Sequence, residues 1–120
     1  MNQPTISGIT AAVVTGDFLV TPATLDPTNV LADLYRMIGC RTVDVVALDD
    51  DLDMWLDNEG AYTAAPNPAA TAIAQTFGFI WQPYFGTAVF TGGADKDGNT
   101  LPLTEAGLRL IWTLSAAAAA

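Results

Sequence analysis

Histidine is missing from this chain altogether, and its absence removes several reaction classes at once. Without an imidazole there is no Ser-His-Asp or Cys-His nucleophile system. There is also no histidine-ligated zinc and no side chain that shuttles protons near neutral pH. Cysteine is almost as scarce: Cys40 stands alone, so neither an internal disulfide nor a one-chain thiolate zinc site can form. Cations are few. Four Lys and Arg face thirteen Asp and Glu, giving a formal charge of −9. Such a surface repels nucleic acid, whose recognition depends on Lys and Arg meeting phosphates, and it steers toward basic partner surfaces. The plainer consequence of the same charge is solubility. No apolar run reaches the roughly 20 residues a membrane helix needs, and Met1-Asn-Gln-Pro-Thr5 lacks the basic start and apolar core of a signal peptide. No glycine pattern matches a phosphate loop or a dinucleotide fingerprint. These absences lead us to expect a soluble cytoplasmic protein with no cofactor, no direct nucleic-acid contact and no membrane attachment.

What is present reads as one domain. A chain of 120 residues, half of them apolar, can bury a single core without staples. The division is 1–115 as the domain and 116–120 as an alanine-rich tail. Ile9 to Val14 and Phe18 to Val20 are β-branched and aromatic, and Thr15-Gly16-Asp17 between them predicts a short hairpin. Asp26-Pro27 reads as a helix start, with Leu31, Leu34 and Ile38 as one buried stripe and Gly39 as the stop. Thr42 to Leu48 and Asp53 to Asp57 predict a hairpin of two strands across an acidic turn. Met54 and Leu56 point inward in the second strand; Asp53, Trp55 and Asp57 point away. Asn58-Glu59-Gly60 reads as a tight turn with glycine at positive φ. Asn67-Pro68 starts a second helix with Ala70, Ile73, Ala74 and Phe77 inward. Phe79 to Phe85 is a loop or edge segment and Thr87 to Thr91 a short strand. Thr104 caps a last helix whose Gly107, Leu110, Ile111 and Leu114 face the core. Interleaved strands and helices without strict alternation predict an α+β fold, a mostly antiparallel sheet with about three helices on one face.

Carboxylates are the chemistry that remains. Asp49, Asp50, Asp51 and Asp53 offer hard oxygen donors. A calcium loop would need Gly where Met54 stands and Glu where Gly60 stands, so an acidic hairpin turn is the reading. Asp95-Lys96-Asp97-Gly98-Asn99 is ordinary turn chemistry. Glu59 with Asp57 or Asp53 is the one acid–base pair worth naming for glycoside hydrolysis, yet nothing in the sequence suggests a substrate cleft. The expectation is a protein without catalytic residues. Trp55, Trp81, Tyr84, Phe85 and Trp112 belong to the core, or, if several are exposed together, to a binding surface.

The order of these segments carries a resemblance. Tyr35-Arg-Met-Ile-Gly39, Val43-Asp-Val-Val-Ala-Leu48 and Asp53-Met-Trp-Leu-Asp-Asn-Glu-Gly60 come first; Pro66-Asn67-Pro-Ala-Ala70-Thr and Phe85-Gly-Thr-Ala-Val-Phe90 follow. Together, over roughly Ile9 to Asn99, they resemble domain of unknown function three-eight-four-six, small proteins common in actinobacteria and their phages. Its most specific parts here are the Asn-Glu-Gly turn and the Asn67 helix start. The family usually shows a double glycine after the first helix and two acidic residues before the turn glycine; here Cys40 takes the second glycine's place and Glu59 follows Asn58. The resemblance implies an α+β domain and a phage or prophage accessory gene, with no catalytic residues to carry over. Glu59 has no evident structural task at a turn tip, so Arg41, Asn58, Glu59 and Asn67 are the candidates to converge on a pocket. With Asp49, Asp50, Asp51, Asp53 and Trp55 they form the set of candidate ligand- or partner-binding residues.

The leading expectation is a non-enzymatic accessory protein that binds a host protein in the host cytoplasm through an acidic and aromatic surface. Two alternatives stand beside it: a nucleotide-type ligand binder, which would draw on Arg36, Arg41, Lys96 and Arg109, and a virion accessory subunit. Self-association is left open.

Overall fold

A computed structural model describes residues 8–120. Five strands and four helices follow in the order β1 (Ile9–Val14), β2 (Val20–Leu25), α1 (Val30–Ile38), β3 (Val43–Asp49), β4 (Leu52–Asp57), α2 (Gly60–Thr63), α3 (Pro68–Thr76), β5 (Ala88–Thr91) and α4 (Glu105–Ala119). The strands make one antiparallel sheet in the order β2-β1-β5-β4-β3. This is the α+β domain the sequence predicts, with two hairpins joined by a late strand.

That late strand sits at the centre. All four residues of β5 are buried, because Ala88 and Phe90 face one layer of the core while Val89 faces the other. The sheet is therefore covered on both faces, which corrects the one-faced packing expected from sequence. On the first face α3 and α4 lie over Ala12, Val14, Met54, Leu56 and Phe90, contributing Ala69, Ala70, Ile73, Ala74 and Ile111. On the second, α1 brings Leu34 onto Ile9, Ala11, Leu25 and Val89. Small alanines on α3 let it pack closely, and each larger side chain such as Ile73 or Phe90 taken fully out of water contributes about 1.5–3 kcal/mol.

Several local readings shift for physical reasons. Strand β2 continues to Leu25 past Pro22, a residue a strand tolerates only where its missing N–H faces outward. Thr15 N donates to Leu19 O (3.1 Å), so the residues of β2 bonded to β1 are Thr21 and Ala23, and Pro22 faces the open margin. Helix α1 begins at Val30 rather than at Pro27. Asp26 instead folds the preceding turn, its Oδ1 accepting from Thr28 N (2.9 Å) and Thr28 Oγ1 (2.8 Å). That delay rotates Leu31 away from the core, and it is 50% exposed. Gly39 ends the helix at φ 81° as expected.

Gly60 does not adopt a positive φ; it opens the one-turn helix α2. Its glycine is required by a close approach instead, since a Cβ there would meet Phe85 O at 3.0 Å. At the C-terminal end α4 runs on to Ala119, so the alanines expected as a separate tail continue the helix. Leu110, expected inward, is 41% exposed, and Leu108 packs against the core in its place.

Candidate functional site

Strands β3 and β4 form a long hairpin with polar groups at both ends. At the turn, Asp49, Asp50 and Asp51 are exposed, as an acidic hairpin tip should be. The turn is pinned from behind, because Gly93 passes so close that a Cβ there would meet Asp50 O at 2.2 Å. Among the described residues no three carboxylates or thiols gather closely enough to hold a metal ion. At the other end Asn58 N donates to Thr42 O (3.1 Å), closing the hairpin where Cys40 and Arg41 enter and Asn58-Glu59 leaves. The two ends lie roughly 20 Å apart at the rise of an extended strand, so the acidic tip and the Asn-Glu-Gly turn are separate features.

The second end is built by its own backbone needs. Asp57 Oδ1 accepts from Glu59 N (2.8 Å) and folds the chain into α2, whose Tyr62 N returns to Glu59 O (2.9 Å). Glu59 itself spends no side-chain hydrogen bond on capping that helix. Two clefts meet at Asp57. One, of about 300 Å³, lies between β3–β4 and the Gln82–Phe85 segment; Asp44, Asn58 and Gln82 offer it polar groups and Val46, Leu56 and Tyr84 an apolar wall. The other, of about 470 Å³, lies between the end of α1 and the turn, and is lined by Arg36, Arg41, Glu59 and Thr63.

The expected convergence is thus realised in part. Arg41 and Glu59 share the second cleft, and Asn58 lines the first. Asn67 must be removed from the set: it is fully buried. Its Oδ1 accepts from Ala70 N (3.0 Å), while Nδ2 donates to Val14 O (3.0 Å) and Gly86 O (2.8 Å). It caps α3 and ties that helix to β1 and to the chain entering β5, with both amide hydrogens used and the whole side chain out of reach of a ligand. Cys40 is half-buried in the second cleft, where burial and the Asp57 carboxylate push its thiol up, away from a reactive thiolate.

Trp55 and Asp53 also move from their expected places. Both lie on the second face, which α1 covers in part. Trp55 packs against the core under α1 and donates from Nε1 to Thr91 Oγ1 (2.9 Å). Asp53 is 9% exposed between its cross-strand neighbours Ala47 and Thr91, neither of which carries a charge. Among the described residues its carboxylate makes no hydrogen bond or ion pair. Burial pushes its pKa above the usual carboxylate range. A raised folded-state pKa stabilises the fold below the ordinary value near 3.9, and that contribution is lost as pH rises through the folded pKa. Asp53→Asn is therefore expected to raise the melting temperature at pH 7 by a few degrees, with the gap closing below about pH 4. Thermal melts across that range check it; a gap independent of pH would show that charge burial is not the cause.

Two exposed rings neighbour the first cleft in the chain: Trp81, which the sequence offered as core or binding surface, and Tyr62, which it did not single out. Tyr62, next to the lining residue Ala61, is 90% exposed, and Trp81, next to Gln82, is 75% exposed beside Ile80 at 66%. Trp81 leans on Phe79 with ring centroids 6.1 Å apart. The apolar run Phe79-Ile80-Trp81 carried the signal, since Pro83 prevents it from continuing as a buried strand. Tyr84 is buried, as a core reading predicts, whereas Trp112 is 56% exposed.

The family model for DUF3846, a domain of unknown function, matches residues 9–113. The chain belongs to this family. No curated protein and no solved structure matches it. The DUF3846 match spans every strand of the sheet and both clefts, so the family's shared region includes the Asn58-Glu59-Gly60 turn and the Asn67 cap together. No helix among the described residues is long and apolar enough to cross a membrane.

Proposed function

We propose that this DUF3846 domain is a non-enzymatic phage or prophage accessory protein that binds a host protein in the host cytoplasm. One observation carries the reading: a cleft with two carboxylates, Asp44 and Asp57, and no cation, flanked in the chain by the exposed rings of Tyr62 and Trp81. Large aromatics are enriched at interface centres and are seldom left in water without use. Carboxylates without a cationic partner favour a basic surface, and the charge of −9 steers it in.

The nucleotide-type alternative finds less support. Of the four cations, Arg36 and Arg41 do share the second cleft, but Asp57 and Glu59 line it too, and Arg36 is paired with Asp33 at 2.8 Å. Phosphate would have to enter beside two like charges. Nothing in the fold favours a virion subunit over a binding protein.

The test is affinity purification from host lysate at two salt concentrations, with parent and Trp81→Ala side by side. A specific partner should be captured and weakened by salt. Trp81→Ala should lower its affinity by about tenfold or more while leaving the melting temperature unchanged, because an exposed side chain contributes little to folding. Capture indifferent to both salt and Trp81 would overturn the reading.

A further inference from the structure

The open margin of β3 is unlike the blocked margin of β2. Because Thr42, Asp44 and Val46 pair inward with β4, the N–H and C=O groups of Val43, Val45 and Ala47 face outward. Helix α1 does not reach this part of the second face, where Ala47 is exposed and Val45 is 49% exposed. An unpaired row of backbone donors and acceptors is a template for another strand. Behind it, one strand inward, sits Asp53, a largely buried residue whose carboxylate oxygens keep contact with solvent and make no ion pair among the described residues.

We propose that the β3 margin receives an extended basic segment of a partner as a sixth strand, with a lysine or arginine side chain lying across Ala47 to meet Asp53. Neighbouring strands run about 4.8 Å apart, so an incoming side chain must span one strand's width to reach β4. Ala47 is the residue small enough to let it pass, and Trp55 on the same face offers a ring to its stem. Asp44, Asp49, Asp50 and Asp51 line the same strand and its turn, and β3 itself carries no cation. That composition decides the occupant. A second copy of this chain would bring another charge of −9 and no cation from its own β3, whereas a basic segment is complementary in charge to the margin. Strand addition obtains affinity from main-chain bonds and specificity from alternate side chains.

This surface extends the binding reading beyond the aromatic cleft, and the experiment separates the two. The probes are synthetic peptides of about seven residues, alternating valine and threonine, with a central lysine or, as control, glutamate. Each is titrated by fluorescence anisotropy into the full chain and its variants. Val45→Pro removes one outward N–H and leaves the β3–β4 ladder intact, which circular dichroism and a melt confirm. The lysine peptide should bind at least about tenfold tighter than the glutamate peptide. Val45→Pro should abolish that binding and Asp53→Asn should erase the preference for lysine, while Trp81→Ala leaves both untouched. Equal binding of the two peptides, or full binding to Val45→Pro, overturns the proposal. So does sedimentation showing that Val45→Pro splits a dimer of the parent, since the margin would then serve self-pairing. Peptide binding that persists while lysate capture fails overturns the host-protein reading and leaves this one standing.

Discussion

Replacing Asn67 by alanine should cost the fold about 3 kcal/mol and should do so without touching any ligand. The loss has two parts. The helix cap on Ala70 N disappears, worth about 1 kcal/mol. Val14 O and Gly86 O, both bonded to Nδ2, are left without that donor in a buried setting, at about 1–3 kcal/mol for each group that finds no other partner. Asn67→Asp should cost at least as much, because the carboxylate keeps the cap but is a buried anion facing the oxygens of Val14 and Gly86. Urea unfolding should place Asn67→Ala far below the parent in midpoint with an unchanged slope. A loss under about 1 kcal/mol would mean that water or a backbone shift satisfies the two carbonyls, and that Asn67 is not the bolt between α3 and the sheet.

Phe90→Ala is the second large effect, expected at about 3–5 kcal/mol. Phe90 is the largest fully buried side chain, on the central strand, packed with residues of the first-face core under α3 and α4. Its removal leaves a cavity where both hairpins meet, and a strand of four residues has little backbone to spare for collapse. Denaturant midpoints measure the loss. Phe90→Leu is the control, since it retains most of the volume and should lose far less.

How much of this could be read in the sequence depends on whether the controlling interaction is local. Gly39 and the Thr104 cap follow from their neighbours alone, and both stand as read. The Asp95 turn is similar: its Oδ1 accepts from Asp97 N (2.8 Å) and Asn99 N (2.9 Å), within five residues of chain. Asn67 was legible as a cap and misread as a site residue, because its two donations go to Val14 and Gly86, far away in sequence. Asp53 shows the same limit. Alternation along β4 places it opposite Met54 correctly, but whether that second face meets water is set by α1 and β5, not by β4. Gly60 reads as a turn glycine by composition, and only the approach of Phe85 reveals that space, not φ, selects it. Of the site itself, the presence of Arg41 and Glu59 in one cleft was legible from a turn that follows a hairpin. The exposure of Tyr62 and Trp81 was not, because it depends on how the chain packs after α2 and α3.

The proline in β2 has a consequence for crowded conditions. Pro22 turns its ring nitrogen to the open side of that strand, so a neighbour's ladder would lack a hydrogen bond there. Head-to-tail growth would require β3 of one molecule to meet β2 of the next, and that junction is missing a hydrogen bond at its middle. Two β3 margins meeting edge to edge would instead close on themselves as a pair. A protein that keeps one strand free can then accumulate to high levels in a cell without threading itself into fibres.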